Sequence, residues 1–364
     1  MKKKTFTVTS LILLIVAVRL FARSTELVEE YYANIIFKII APPLSRLTGI
    51  LPFSVAEILV VLLVLWLSID LLTSLVRRHR RQPDEKISTL YTFITMAGLV
   101  YLVFMGLWGL NYYRMEFAQI AGLDTGNISI QELYALGDSL VEEANQLRAG
   151  LKEDGDGVMT LTNRQEVFKE AVTGYDMLAR RYPQLEGEYG RPKGLFLSRA
   201  ISYTGLYGFY VPFTGEANIN TAIPEAMLPF STCHEMAHQR GIAREGEANF
   251  VAYLSCVMNP RAEFQYSGTL MALTYVLNAI NGRDGQQSQG LIKRLSPGVI
   301  RDLQDIRMHA EKHRGPISRI SNRINDIYLR SNSQTTGVQG YNEMVELLAA
   351  YRRNASSEPE GELK

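Results

Sequence analysis

The sequence has few of the residues that define several common classes of protein. It contains two cysteines and five histidines in 364 residues, and its formal net charge is +1. A nucleic-acid-binding domain usually carries a basic stripe or patch, which a near-neutral chain does not favour. No glycine-rich phosphate-binding loop and no internal repeat are present. We therefore expect no nucleic-acid partner.

The two cysteines do not indicate a disulfide. Cys233 and Cys256 fall on two consecutive predicted helices, about six residues out of register, which is roughly 9 Å along a helix axis. A disulfide requires closer Cα atoms than this. We expect both to be small buried side chains, so the cysteine count does not fix the redox compartment.

The apolar residues are concentrated before residue 111. Three runs there, at about 5–22, 55–76 and 87–110, have the length and composition of transmembrane helices. The first run could also be the core of a signal peptide, but no small-x-small cleavage site follows it, which favours an uncleaved helix. Residues 26–40 are amphipathic and predict a helix either on the membrane surface or packed on its neighbours.

Basic residues predict the orientation of these spans. Lysines occupy positions 2–4, and arginines follow the second run at positions 77, 78, 80 and 81. By the positive-inside rule both groups are cytoplasmic. We therefore predict a multi-pass protein of the cytoplasmic membrane with a cytoplasmic N-terminus and an extracytoplasmic domain after residue 111.

Residues 112–354 have the composition of a soluble domain, and residues 355–364 that of a disordered tail. Helical periodicity predicts helices at 129–148, 163–182, 263–280, 297–312, 317–329 and 340–352. The aromatic and glycine-rich stretch 193–224 predicts a small sheet. The predicted division is a membrane domain at 1–111 and a second domain at 112–354.

The residues most informative about function are His234, Glu235 and His238, which form the pattern H-E-x-x-H. On a helix, positions i and i+4 share one face, so two imidazoles can bind one metal ion. Glu235 can reach a water on that ion without being a ligand, which is the geometry of a general base. The pattern therefore predicts a catalytic zinc site with Glu235 as the base.

Zinc in such a site needs a third protein ligand, and Glu245 is the candidate. Gly241 can end the first helix in a left-handed conformation, and residues 243–256 then predict a second helix folding back beside it. In that hairpin His238 and Glu245 face each other, and Asn249 can orient a ligand histidine. Glu247 is the alternative third ligand.

This segment resembles the zincin metallopeptidases of the gluzincin type, in which H-E-x-x-H is followed on a second helix by E-x-x-x-D. Glu245 and Asn249 match that second part, with Asn at the Asp position. The run 245–250 is similar to the E-x-x-A-[DN] segment of several membrane zincins. The chain as a whole resembles an uncharacterised family of bacterial membrane proteins with this core. Arg244 stands where another zincin subtype has a third histidine, which disfavours that subtype.

The resemblance implies two further features. Zincins bind an extended peptide along an exposed edge strand just before the active-site helix, and residues 217–222 are the candidate for this strand. They also often use a tyrosine or histidine to stabilise the oxyanion. Four residues are candidates for that role: Tyr210, Tyr266, Tyr341 and His309.

We therefore expect a mainly α protein with three N-terminal transmembrane helices and a soluble α+β zincin-like domain containing a small sheet and an active-site helix pair. Its expected function is a membrane-anchored zinc metallopeptidase that hydrolyses a peptide or protein substrate. Two alternatives stay open: a non-proteolytic sensor or interaction protein with a structural metal, and a metal-dependent hydrolase of cell-envelope material. The oligomeric state is open.

Overall fold

The computed structural model describes residues 2–77, 83–332 and 341–357. Helices dominate this part of the chain. The first five are α1 Lys2–Phe21, α2 Thr25–Leu27, α3 Phe37–Gly49, α4 Val55–Arg77 and α5 Pro83–Leu107, with a π-helix, Val28–Ile36, between α2 and α3. The next six are α6 Phe117–Ile120, α7 Ile130–Ala149, α8 Val167–Arg181, α9 Ser198–Ser202, α10 Leu228–Gln239 and α11 Glu245–Met258. The last five are α12 Ala262–Asn281, α13 Gly285–Ile292, α14 Pro297–Lys312, α15 Pro316–Ser331 and α16 Tyr341–Ser357.

The helices predicted after residue 128 are all present, with ends within a few residues of the prediction. The best example is α7, where Ser129 accepts a hydrogen bond from the backbone of Glu132 and the Glu132 side chain bonds back. This reciprocal cap satisfies two backbone donors that the helix itself leaves free. Helix α16 continues to Ser357, and residues 358–364 of the predicted tail lie outside the described residues.

The small sheet has three strands: β1 Lys193–Gly194, β2 Gly208–Val211 and β3 Glu216–Ile219. Their order is β1-β3-β2, with β3 parallel to β1 and antiparallel to β2. The prediction of an exposed edge at 217–222 is therefore wrong, because β3 is the central strand and is buried along its length. Strand β1, the other neighbour of β3, is two residues long. It is too short to show an alternation of polar and apolar residues in the sequence. Strand β2 is the half-buried edge.

The core forms around α10, α11 and α12, with α7, α8 and α16 packed on their outer faces. Phe250 and Tyr266 are among its largest fully buried side chains. Cys233 and Cys256 are both buried free thiols, as predicted. The two helices that carry the H-E-x-x-H segment and Glu245 thus lie at the centre of the domain, where packing fixes their relative position.

The prediction of three N-terminal transmembrane helices is wrong. Within the described residues, one helix is long and apolar enough to cross a membrane, Val55–Thr73, with a mean hydropathy of 2.5. The helices Thr5–Phe21 and Thr25–Gly49 pass the same test only as a pair, bent by 99° at the break. In α5 the described apolar segment Tyr91–Leu107 falls below the length of that test. Composition and length alone support one span, or two if the bent pair counts as one.

The third predicted span was overestimated for a physical reason. The uncharged run continues to residue 110, but the α-helix ends at Leu107 and the chain enters a 3₁₀ helix, Gly109–Tyr113. Trp108 and Leu110 are buried against protein. Hydropathy cannot distinguish burial in protein from burial in lipid, so the sequence placed the end of this helix three residues too late.

The segment from α2 to α3 packs on the rest of the protein, as one of the two alternatives for residues 26–40 predicts. Glu29 forms an ion pair of 2.7 Å with Arg114, and both side chains are buried. In α3, Ser45 Oγ accepts a hydrogen bond of 2.9 Å from Gln239. The division at residue 111 and the membrane orientation stay predictions, and arginines 78, 80 and 81 lie outside the described residues.

Candidate metal centre

The hairpin of α10 and α11 places the predicted ligands together. Gly241 has a φ of +83°, the left-handed conformation that ends α10. The Gly241 N–H donates to the carbonyl of His238 and the Ile242 N–H to that of Ala237, which closes the turn. Helix α11 begins at Glu245, two residues later than predicted. Glu245 in the first turn of α11 therefore faces His238 in the last turn of α10.

Three ligand atoms, one each from His234, His238 and Glu245, lie within 4.8 Å of one another. The two Nε2 atoms are 3.1 Å apart, and Glu245 Oε2 is 3.3 Å from Nε2 of His234. Glu245 Oε1 is 3.8 Å from Nε2 of His238. Ligand atoms around a tetrahedral zinc ion, each about 2.1 Å from it, would be roughly 3.4 Å apart. The donor set and its spacing fit such an ion.

The backbone fixes the tautomer of His238. Its Nδ1 lies 2.7 Å from the carbonyl oxygen of Ile242. A carbonyl only accepts, so Nδ1 carries the proton and Nε2 presents its lone pair to the cluster. In His234 the buried Nδ1 has no hydrogen-bond partner among the described residues, although the Asn249 side chain is close enough to favour the protonated ring. The turn that ends α10 thus also orients one of the ligands.

Burial and neighbouring charges shift the pKa of each residue of the cluster. Burial lowers the pKa of His238 to about 4. Burial would raise the pKa of Glu245, but the hydrogen bond from His234 and the charge of His238 lower it to about 2. Burial also opposes charge on His234, yet Glu245 and Glu235 together raise its pKa. A buried imidazole pair beside two carboxylates is the environment that a bound cation neutralises.

Glu235 adjoins the cluster but has a different environment. It is buried, and its Oε2 has no hydrogen-bond partner among the described residues. Burial raises its pKa to about 8, with His234 opposing and Glu245 adding to the shift. A carboxyl group with a pKa near neutrality and a free oxygen can both take up and release a proton. This is the property expected of the predicted base.

Strand β2 passes directly over Glu235. A Cβ at Gly208 would lie 2.6 Å from Cγ of Glu235 and 2.7 Å from its Oε1. Only glycine permits this approach of backbone to carboxylate. The edge strand is thus in contact with the residue predicted to act as the base.

Glu247, the alternative third ligand, is used elsewhere. Its carboxylate accepts hydrogen bonds from the Phe117 backbone at 2.7 Å and from Arg244 at 3.0 Å. Arg244 in turn donates to the carbonyl of Arg114. Glu247 therefore ties the start of α11 to α6, and the structure brings Glu245 rather than Glu247 to the histidines.

The four oxyanion candidates are dispersed. Tyr210 lines the cavity beside the cluster. Tyr266 donates to Asp302 inside the core, and His309 lines a different cavity. The Tyr341 side chain lies outside the described residues. Of the candidates that the structure describes, Tyr210 alone is near the cluster.

The cavity over the cluster has a volume of about 390 Å³ and includes residues that the sequence did not single out. Trp108 lies edge-on to His238, with ring centroids 5.9 Å apart, and packs on Tyr210 at 4.8 Å. Tyr112 and Tyr328 meet through their hydroxyls at 3.1 Å. Trp108 directly follows α5, Tyr112 lies in the 3₁₀ helix and Tyr328 lies in α15. No local pattern marks them, because they reach the cavity only through the tertiary fold.

The comparison with protein families gives one result. The model of a family described as "Protein of unknown function (DUF3810)" matches residues 32–349, which include every residue of the cluster and of its cavity. No curated protein and no solved structure matches the chain. Since the match covers most of the sequence, the chain belongs to this family of proteins of unknown function, DUF3810.

Proposed function

We propose that the protein is a zinc-dependent hydrolase that cleaves peptide bonds and is attached to a membrane. The observation that carries this proposal is that one cavity holds both a set of metal ligands and, beside it, a buried carboxyl group. His234, His238 and Glu245 converge with the spacing of zinc ligands. Glu235 beside them is buried, with one oxygen free of any described partner. A structural metal site has no need of such a base or of an open cavity beside it.

The residues of the chain suggest how hydrolysis proceeds. A zinc ion bound by the three ligands would polarise the substrate carbonyl and acidify a water. Glu235 takes the proton from the attacking water at Oε2 and then delivers it to the leaving nitrogen. Tyr210 lines the same cavity, and its phenol, whose pKa burial raises, stays a proton donor for the developing oxyanion.

The edge of the sheet supplies a site for an extended peptide. The Asn220 N–H donates to the carbonyl of Tyr207, which fixes the alternation of the β2–β3 ladder. In that alternation the backbone groups of Gly208 and Tyr210 point away from β3. A peptide pairing with them would lie beside Glu235. Strand β2 thus takes the role that the sequence predicted for residues 217–222.

Membrane attachment is supported by helix α4. In its apolar segment Val55–Thr73, 11% of the residues are buried in the protein. An apolar helix with so little protein around it requires another apolar environment, which a bilayer provides.

The test is metal analysis and activity of the full chain in detergent. We expect about one zinc per chain, lost in His238→Ala and retained in Glu235→Gln. Activity on casein should fall about 10²- to 10⁴-fold in Glu235→Gln. Glu311→Gln, at an exposed carboxylate on α14, is the control and should change neither quantity. A folded chain that binds no divalent metal when supplied with it would refute the proposal, and activity only on envelope polymers would refute the substrate class.

A further inference from the structure

Helix α15 has an unusual exposed face. Ile317, Ile320, Ile324 and Ile327 recur at spacings of three and four residues and are 58–62% exposed. These spacings place the four side chains on one stripe of the helix, which we call the isoleucine stripe. Exposed isoleucines on a single stripe mark an interaction surface rather than the scattered apolar exposure common to all proteins.

The opposite side of α15 covers the metal-site cavity. Asn322, Asn325 and Tyr328 line the cavity, and Leu329 is buried. The Tyr328 hydroxyl meets that of Tyr112 on the cavity wall. Helix α15 is therefore the roof of the candidate active site, with its polar residues toward the cavity and the isoleucine stripe turned away from it.

One end of α15 is connected to the start of the candidate span. Glu57, in the first turn of α4, accepts hydrogen bonds from the backbones of Phe196 and Leu197 at 2.9 and 2.7 Å. Phe196, beside the first turn of α4, is 75% exposed. From there the chain passes through α9 to Tyr203, whose ring contacts His313 with centroids 4.9 Å apart. A short polypeptide segment thus joins the point where α4 leaves the domain to the N-terminal end of α15.

The other end of α15 meets the apolar helix α5. The ring of Tyr328 packs edge-on against Phe104, with centroids 6.3 Å apart. On α5 itself Val100 and Val103 are about half exposed. The N-terminal end of α15 is thus linked through residues 196–203 to the start of α4, and its C-terminal end packs on α5.

The flank of α15 is basic. Arg314, Arg319, Arg323 and Arg330 are exposed, and Arg330 pairs with Asp326. On a helical projection arginines 319, 323 and 330 lie to one side of the isoleucine stripe. Isoleucines flanked by arginines are the pattern of a helix lying in the interface of a bilayer that contains anionic lipids.

We infer that α15 is an interfacial helix whose isoleucine stripe inserts into an anionic phospholipid surface, so that the roof of the metal-site cavity rests on the bilayer. The occupant is lipid because the N-terminal end of α15 is linked to the point where the candidate span leaves the domain and the flanking charge of the helix complements anionic headgroups. The long arginine side chains can reach those headgroups while the isoleucines enter the acyl region. This inference does not depend on the proposed chemistry.

The test uses the full chain in nanodiscs that contain phosphatidylglycerol. A fluorophore is attached at Ile324→Cys and, in a matched control, at Glu142→Cys, an exposed position on α7 with a side chain 74% exposed. The native cysteines are buried and leave the introduced thiol as the labelling site. Spin-labelled lipids should quench the label at 324 several-fold more than the label at 142. The combined substitutions Ile317→Ser, Ile320→Ser and Ile327→Ser should remove most of that difference. Arg319→Gln with Arg323→Gln should reduce its dependence on phosphatidylglycerol.

Two outcomes would overturn the inference. One is equal quenching at positions 324 and 142. The other is a dimer in which the label at 324 is shielded from lipid and which the serine substitutions convert to monomer. That result would make the stripe a contact between two copies of the chain. Zinc content measured on the same samples keeps the two proposals separate. Quenching without zinc would refute the metal site alone, and zinc without quenching would refute the lipid contact alone.

Discussion

At the scale of single residues, the close approach of Gly208 to Glu235 limits where the carboxylate of the candidate base can lie. Gly208 lies so close to the carboxylate that any larger residue must displace it. The carboxylate is buried and keeps one oxygen without a described partner. Its usefulness as a base depends on that oxygen pointing into the cavity.

We predict that Gly208→Ala lowers the rate of hydrolysis about 100-fold while zinc remains bound. The added methyl group would sit 2.6 Å from Cγ of Glu235, so the carboxylate must rotate away or β2 must shift. A misplacement of this size costs about 10²-fold in rate. Hydrolysis rate and zinc content of the purified variant would be measured together. Gly290→Ala is the control, since a Cβ there meets nothing within 4 Å; full activity in Gly208→Ala would contradict the proposed role of Glu235.

The cluster residues could be predicted from the sequence because their relation is local. His234 and His238 are one helical turn apart, and Glu245 follows across a single glycine turn. The walls of the cavity could not be predicted, since Trp108 and Tyr328 are more than two hundred residues apart and meet only in the fold. The choice between Glu245 and Glu247 also required the structure, because it depends on Phe117 and Arg244 as partners of Glu247.

At the scale of elements, the turn between α10 and α11 is held by the π-helix from the N-terminal segment. Arg114 donates to both oxygens of Glu29 and to the carbonyl of Gly241, the residue that ends α10. Glu29 and Arg114 are both buried. The orientation of the ligand hairpin is thus coupled to a segment more than two hundred residues earlier in the chain.

We predict that Glu29→Gln lowers the free energy of unfolding by about 3 kcal/mol, because it leaves the buried Arg114 guanidinium without its counter-charge. Thermal or denaturant unfolding in detergent would measure this. The control is Arg307→Gln, which breaks an exposed pair with Glu311 on α14 and should change stability by about 0–1 kcal/mol. Equal effects of the two substitutions would show that the buried pair does not stabilise the turn.

Element boundaries show where sequence patterns fail. Helices with a clear polar and apolar face, such as α7 and α14, begin and end close to the predicted residues. Strand order was not predictable, because β1 is two residues long and pairs with β3 in parallel. The end of the third apolar run was misplaced because an uncharged run cannot report whether lipid or protein surrounds it.

At the scale of the whole molecule, the apolar N-terminal region and the metal site are not independent bodies. Gln239 donates to Ser45 of α3 and to the carbonyls of Gly190 and Gly215. Glu216 of β3 accepts from the first backbone groups of α4, Val55 and Ala56. Contacts from α3 and α4 thus reach both α10 and the sheet.

We predict that a truncated chain of residues 112–364 is markedly less stable than the full chain and binds zinc more weakly. Truncation removes Glu29, Ser45 and Trp108, and so exposes one wall of the cavity and leaves Arg114 unpaired. The two proteins would be compared by unfolding temperature and by zinc titration. If the truncated chain matched the full chain in both measurements, the N-terminal contacts would contribute nothing to the site.

The link of Glu29, through Arg114, and the contact of Ser45 with the end of α10 also determine when in synthesis the cavity can form. Translation makes the π-helix and α3 first, and Gly241 and Gln239 reach them only after most of the remaining chain has been synthesised. Helix α15, the roof of the cavity, is made later still. The nascent chain therefore cannot hold a finished cavity while it is being synthesised, and the site is completed only once the newest helices have folded back on the oldest.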